Sequence, residues 1–198
     1  MANKSGKIDA IIFDCFGVLV NGTTDHFYAK YMANEPAKIS QVKTLSQNSD
    51  RGVIEYNAFV QGAADLAGIS FNDANRVFLD APKNEALFHF IRDDLRPSGY
   101  KIGLLSNLGS GRASQVMLKS DLALFDTKTL SYQVKMAKPD AEIYRLAARQ
   151  LGTIEQRCVF IDDNVKNVTG AQRVGMIGIL YQDFASLRQE LDILLARE

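Results

Sequence analysis

The sequence predicts an α/β protein built on a doubly wound parallel sheet, with an α-helical cap inserted after the first strand. Three observations carry that expectation. Short apolar runs rich in β-branched residues occur at Ile8–Phe13, Tyr100–Leu105, Val159–Ile161 and Met176–Tyr181. Each is bounded by Gly, Asp, Asn or Ser, as strands buried on both faces usually are. Helical periodicity fills the gaps between the later runs, the alternation of a parallel α/β sheet. The stretch 22–97 has helical periodicity and no convincing strand run.

Taken in order, Ile8–Phe13 gives a strand ending at Asp14. Apolar positions at Phe27–Met32, Ile54–Leu66 and Ala74–Leu79 then predict cap helices, with breaks near Gly52, Gly68 and Pro82. Phe27, Tyr28 and Tyr31 read as the cap's own core, because no basic residues interleave them as in a base-stacking surface. Residues 84–97 return as a helix packed on the sheet. The division is therefore a core of 1–21 and 98–198 and a cap of 22–97, with about 84–97 returning to the core. The strand Tyr100–Leu105 leads to Ser106 and Asn107, and Gly109 to Gly111 read as a flexible turn. Residues 139–151 place Ile143, Leu146, Ala147 and Leu151 at helical spacing, with Pro139 in the first helical position and Gly152 as the C-terminal cap. Val159–Ile161 leads to Asp162 and Asp163, and helices over 164–174 and 184–196 flank the last strand.

Composition excludes several classes. Lys and Arg number 23 and Asp and Glu number 23 in 198 residues, so the formal net charge is zero. A general nucleic-acid binder would carry a basic excess. No apolar run approaches the roughly 18 residues of a membrane span, and the polar Met1–Lys7 does not read as a signal peptide. Cys15 and Cys158 make no disulfide framework and suit a reducing cytoplasm. Cys15 reads as a packing residue beside the strand end, since only His26 and His89 could serve as its base. His89 reads as a partly buried packing residue, and His26 stands at the cap entrance, where substrate would pass.

Ligands of open parallel sheets bind beyond the carboxyl ends of the strands. Asp14, Ser106, Asn107, Asp162 and Asp163 all fall there, and Lys138 precedes the helix that opens near Pro139. Singly each has a plain structural account: Asp caps helices, Ser-Asn begins loops, and Lys-Pro-Asp enters helices. Jointly they do not. Two adjacent carboxylates at the end of an apolar strand, close to Asp14, repel one another unless a cation compensates.

The order FDCFGVLV, LLSN, KPD and FIDD resembles the haloacid dehalogenase superfamily, whose four short motifs occupy these strand ends. The resemblance covers 8–20 and 99–182, and the insertion is similar in place and type to that family's smaller helical (C1-type) cap on a Rossmann-like core. It implies a nucleophilic Asp14, with Ser106 and Asn107 holding the transferred group and Lys138 as the neutralising cation. It further implies Mg²⁺ held by Asp14, Asp162, Asp163 and the backbone carbonyl of Phe16. Oxygen donors suit Mg²⁺, and a metal with a lysine offsets the repulsion between a carboxylate and a phosphate.

One position departs from the family's phosphatases, which carry a second Asp two residues after the nucleophile as general acid and base. Here it is Phe16, which cannot transfer a proton. Haloacid dehalogenases proper have an aromatic residue there, and a set of sugar-phosphate phosphatases also lacks the second Asp. The third and fourth motifs, KMAKPDAEIY and FIDDNVKNV, look like those of the latter group. The sequence therefore predicts a Mg²⁺-dependent phosphomonoester hydrolase for a small phosphorylated metabolite. A 2-haloacid dehalogenase and a catalytically weak ligand-binding protein stand as alternatives. Phe16 predicts a preference for aryl or acyl phosphates over alkyl phosphates. Arg51 and Arg112 are candidate substrate contacts that the sequence does not place.

Overall fold

The computed structural model describes residues 7–196. Its sheet is five-stranded and wholly parallel, in the order β3-β2-β1-β4-β5. The strands are β1 (Ala10–Phe13), β2 (Lys101–Ser106), β3 (Thr127–Leu130), β4 (Cys158–Asp162) and β5 (Ile177–Leu180). All four residues of β1 are buried, as befits the central strand. The two-residue alternation sends Ile11 and Phe13 into one apolar cluster and Ala10 and Ile12 into the other, so each face of the sheet has its own core. Phe13 pairs with Leu104 of β2 and Ile161 of β4. That register brings Asp14, Ser106 and Asp162 out at one rim.

Between β1 and β2 lie helices α1 (Thr24–Tyr31), α2 (Pro36–Asp50), α3 (Tyr56–Ala67) and α4 (Phe71–Leu79). They enclose a third apolar cluster of their own, centred on Phe78, whose ring lies 4.6 Å from that of Phe27 and 4.8 Å from that of Phe59. The chain returns through α5 (Glu85–Phe90), extended by a π-helical turn over Ile91–Leu95, and Leu87 and Ile91 join the sheet's core. Short helices α6 (Arg112–Val116) and α7 (Lys119–Leu122) follow β2, and α8 (Ser131–Val134) and α9 (Ala141–Gln150) follow β3. Finally α10 (Val165–Arg173) links β4 to β5, and α11 (Phe184–Leu195) closes the chain. Among the described residues no helix is long and apolar enough to cross a membrane.

Several details differ from the sequence expectation. Helix α2 goes unpredicted because only Val42 and Ser49 of its fifteen residues are buried, too thin a stripe for periodicity to reveal. Strand β3 reads TKTL and lies at the sheet edge, so it lacks the apolar run of a central strand. Pro139 is not the first helical residue: Asp140 is the N-cap of α9, and Pro139 follows a cis peptide bond in the preceding turn. His26 and His89 are both exposed, so His89 is not a packing residue. The reading of the N-terminus rests on residues 1–6, which lie outside the described residues.

Candidate active site

The rim is organised around one lysine. The Asp14 N–H donates to the Ile161 carbonyl at 2.9 Å, which continues the ladder one residue past β1 and fixes the aspartate at the strand end. Lys138 Nζ lies 2.8 Å from Asp14 Oδ1 and 2.7 Å from Asp162 Oδ2, with its side chain 1% exposed and that of Asp162 wholly buried. Asn107 sets the lysine: its Nδ2 donates to the Lys138 carbonyl at 2.9 Å and its Oδ1 accepts the Lys138 N–H at 2.8 Å. One amide hydrogen of Asn107 remains for another acceptor.

Asp162 is the most heavily supported carboxylate. Its Oδ1 accepts the Asn164 N–H at 2.8 Å and Asn167 Nδ2 at 3.1 Å, and its Oδ2 accepts Asn167 Nδ2 at 3.0 Å besides the lysine. Asp14 Oδ1 also accepts the Cys15 N–H at 2.6 Å, whereas its Oδ2 receives no hydrogen bond among the described residues. Asp163 stands opposite the turn after β1. Gly17 makes that possible: its φ is +87°, and a Cβ there would fall 2.0 Å from Asp163 Oδ2. The Ser106 hydroxyl is buried with no partner, a cost that a bound oxygen would remove.

The ionisation states follow from burial and neighbours. Burial raises the Asp14 carboxyl from 3.8 to about 7, against the pull of Lys138 and with the push of Asp162. For Lys138 burial works to lower the pKa, but the two carboxylates outweigh it and the group is held above its usual value. Burial, then Asp162, raises Asp163. Burial and the adjacent Asp14 push the Cys15 thiol far up, so it is inert and buried.

Asp14, Asp162 and Asp163 each offer an oxygen, all within 4.8 Å of one another. Three carboxylates against one ammonium leave an anionic excess, and the donors are hard oxygens with no nitrogen or sulfur. This set fits Mg²⁺, which takes oxygen ligands and keeps several waters. In the turn after β1, the Val20 N–H donates to the Cys15 carbonyl and the Gly17 N–H to the Val20 carbonyl, which pairs Phe16 with Val20 in a bridge whose two bonds leave the Phe16 carbonyl oxygen unused.

Beyond the rim, Arg112 joins the sheet to the helical insertion. It is buried and donates to the Tyr56 hydroxyl, the Phe78 carbonyl and Thr23 Oγ1, and its guanidinium lies 4.9 Å from the centre of the Phe16 ring. Arg51, by contrast, is exposed and pairs with Asp140 at 3.1 Å.

Residues 8–175 match the family of haloacid dehalogenase-like hydrolases. The chain belongs to that family. A phosphorylated-carbohydrates phosphatase of Thermotoga maritima is 24% identical over 85% of this chain and 82% of its own. A sesquiterpene phosphatase of Aspergillus oryzae is 30% identical over 50% of each chain, so this match spans about half the relative's length. Among solved structures, a haloacid dehalogenase family enzyme of Bacteroides thetaiotaomicron in complex with magnesium and inorganic phosphate shares the fold. Its TM-score is 0.70 at 24% identity, covering 91% of this chain and 98% of that one. The expected α/β fold and hydrolase family are thus both established.

Asp14, Ser106, Asn107, Asp162 and Asp163 of this hydrolase lie at the strand ends just described, and Lys138 reaches them from the turn before α9. Three others carry no role in the sequence reading. Asn164 and Asn167, both inside the motif FIDDNVKNV, hold Asp162. Asp50 reaches the site from α2 and is taken up below.

Proposed function

We propose that this chain is a Mg²⁺-dependent phosphomonoester hydrolase for a small phosphorylated metabolite, a sugar phosphate being one fitting class, acting through an aspartyl-phosphate on Asp14. The observation that carries the reading is the carboxylate trio around one buried lysine. A site meant for an anionic 2-haloacid gains nothing from two further aspartates beside its nucleophile, which would repel the substrate. A site that holds a divalent cation needs them.

In this reading Asp14 Oδ2, the oxygen without a hydrogen-bond donor, attacks phosphorus. Lys138 offsets the charge that gathers on the phosphoryl oxygens. The unpartnered Ser106 hydroxyl and the second amide hydrogen of Asn107 hold those oxygens. Asp14, Asp162, Asp163 and the Phe16 carbonyl would hold Mg²⁺, which when bound neutralises the anionic group and lets it approach the carboxylate. Residues 22–97 serve as the cap, with 84–97 returning to the core, and they exclude water from the rim. The two buried free cysteines fit a reducing compartment such as the cytoplasm.

The test is hydrolysis of 4-nitrophenyl phosphate with Mg²⁺ and then with excess chelator, beside Asp14→Asn. Phosphate release that needs both Mg²⁺ and Asp14 is the expected result. Phe16 supports one competing reading, a dehalogenase. Halide release from 2-chloropropionate in the presence of chelator, with no phosphate release in any arm, would replace the phosphatase reading by that one.

A further inference from the structure

A cavity of about 150 Å³ lies between the rim and the helical insertion, lined by Phe16, Asn107 and Arg112 on one side and Tyr56 and Asp50 on the other. A neighbouring groove is bounded by Lys138, Asn107 and Asn167, and Asp50 lines that one too. Asp50 therefore stands where the two spaces meet, as does Asn107.

The segment that carries Asp50 is fastened to the sheet domain at three points. Ser131 Oγ donates to the Asp50 carbonyl at 2.5 Å, Lys135 Nζ to the Gly52 carbonyl at 2.9 Å, and the Arg51 guanidinium to Asp140 at 3.1 Å. Gly109 lets α2 come close, since a Cβ there would fall 2.3 Å from Ser49 Oγ.

Nothing in the fold uses the Asp50 carboxyl group. Among the described residues it accepts no hydrogen bond and forms no ion pair. It is the last residue of α2, where the helix dipole disfavours negative charge. Burial raises its pKa to about 7, with Lys138, Arg112 and Arg51 pulling the other way. A carboxyl group held at such cost, and facing Phe16 across a cavity, calls for a chemical use.

We propose that Asp50 is the general acid and base of this hydrolase, supplied by the insertion in place of the carboxyl group absent at position 16. The inference rests on the phosphatase reading above. In the first step Asp14 Oδ2 bonds to phosphorus and the bond from phosphorus to the leaving oxygen breaks. That oxygen keeps the electron pair and takes the proton of Asp50, so an alcohol departs. In the second step the Asp50 carboxylate takes a proton from water as the water oxygen bonds to phosphorus. The bond from phosphorus to Asp14 breaks, which yields inorganic phosphate, the Asp14 carboxylate and protonated Asp50. The leaving-group preference expected from Phe16 then belongs to a variant without Asp50 and not to the natural chain.

The experiment compares ethyl phosphate, whose alkoxide must be protonated to leave, with 4-nitrophenyl phosphate, whose phenolate leaves unaided. Both are assayed with Mg²⁺ on the natural chain, Asp50→Asn and Asp50→Ser, with thermal midpoints recorded for each. The natural chain should turn over both esters. Both variants should lose about 10²–10⁴-fold on ethyl phosphate. On 4-nitrophenyl phosphate they should keep a rapid burst of nitrophenol followed by slow turnover, at undiminished midpoints. Equal losses in the rate of the first turnover on both esters, no loss on either, or a natural chain that cleaves only the aryl ester would each overturn the role of Asp50 and leave the phosphatase reading intact. Absence of any Mg²⁺- and Asp14-dependent phosphate release would instead defeat that reading.

Discussion

Lys138→Met should be among the most destabilising single changes in this protein. Methionine keeps most of the apolar body of the side chain and removes the ammonium, which lies 5.4 Å from the Phe160 ring centre. The ammonium contacts Asp14 at 2.8 Å and Asp162 at 2.7 Å, and neither it nor Asp162 is open to solvent. Its loss leaves two buried carboxylates side by side with their shared cation gone. Breaking a buried pair by removing one partner costs about 3–5 kcal/mol, most of it the penalty of the stranded charge. For a chain of this size that is a fall of roughly 6–20 °C in melting temperature. Urea unfolding at pH 8 in excess chelator measures the change directly, with the slope against urea unaltered. Lys138→Met combined with Asp162→Asn should recover part of the loss, because the second change removes one stranded charge. A loss below about 1 kcal/mol for the single variant would refute the account of Lys138 as the keystone of the rim.

Other changes follow from the same geometry. Asp50→Asn should alter the pH dependence of stability: the folded carboxyl titrates near 7 and the unfolded one near 3.8. As pH rises through that window the unfolded state gives up its proton first, so the natural chain loses stability and the variant does not. The gap opens above pH 4 and reaches at most about 4 kcal/mol in the variant's favour by pH 8, and parallel profiles by urea unfolding would refute the burial cost. Gly17→Ala should cost more than about 1 kcal/mol, because an alanine is strained at φ +87° and its Cβ would meet Asp163. Its fold, followed by circular dichroism, should survive while Mg²⁺-induced stabilisation is lost. For the natural chain, Mg²⁺ at a hundred times its dissociation constant should add about 2.7 kcal/mol. Asp162→Asn should abolish that gain, and a thermal shift unchanged by the substitution would place the cation elsewhere.

The rim is legible in the sequence because each of its parts closes or follows a short, recognisable element. Asp14 ends an apolar strand, Ser106 and Asn107 end the second, and Asp162 and Asp163 end the fourth, so strand position alone gathers them at one edge. Lys138 is harder, since only the motif ties it to the rim, and its placement by Asn107 is a tertiary fact. Asp50 is not legible at all, and Arg112 is legible only as a candidate substrate contact without a place. Asp50-Arg51-Gly52 reads as an ordinary helix exit, and Gly52 indeed adopts φ +64° there. Arg112 follows a glycine-rich turn, and it is buried because Tyr56, Phe78 and Thr23, all distant in sequence, supply its acceptors. Local patterns report which residues end strands and helices. They do not report what a residue meets when two separately packed units close on each other.

That distinction bears on how two carboxyl groups with similar pKa values divide two opposite tasks. Burial, set against the nearby cations, holds both Asp14 and Asp50 near 7, so that balance alone does not say which one carries the proton. What each would meet in a loaded site does. Asp14 has an ammonium at 2.8 Å and a backbone N–H at 2.6 Å, both of which favour the charged form. Asp50 has no donor and sits at the negative end of a fifteen-residue helix, which favours the neutral form. A cation at the carboxylate trio would push Asp14 further toward ionisation, and a phosphoryl group entering beside Asn107 would push Asp50 toward protonation. In the proposed mechanism, environments that drive two carboxyls apart in this way would leave the ionised one to attack and the neutral one to donate a proton. The sheet domain would supply the first and the helical insertion the second, so that mechanism needs the two units in contact.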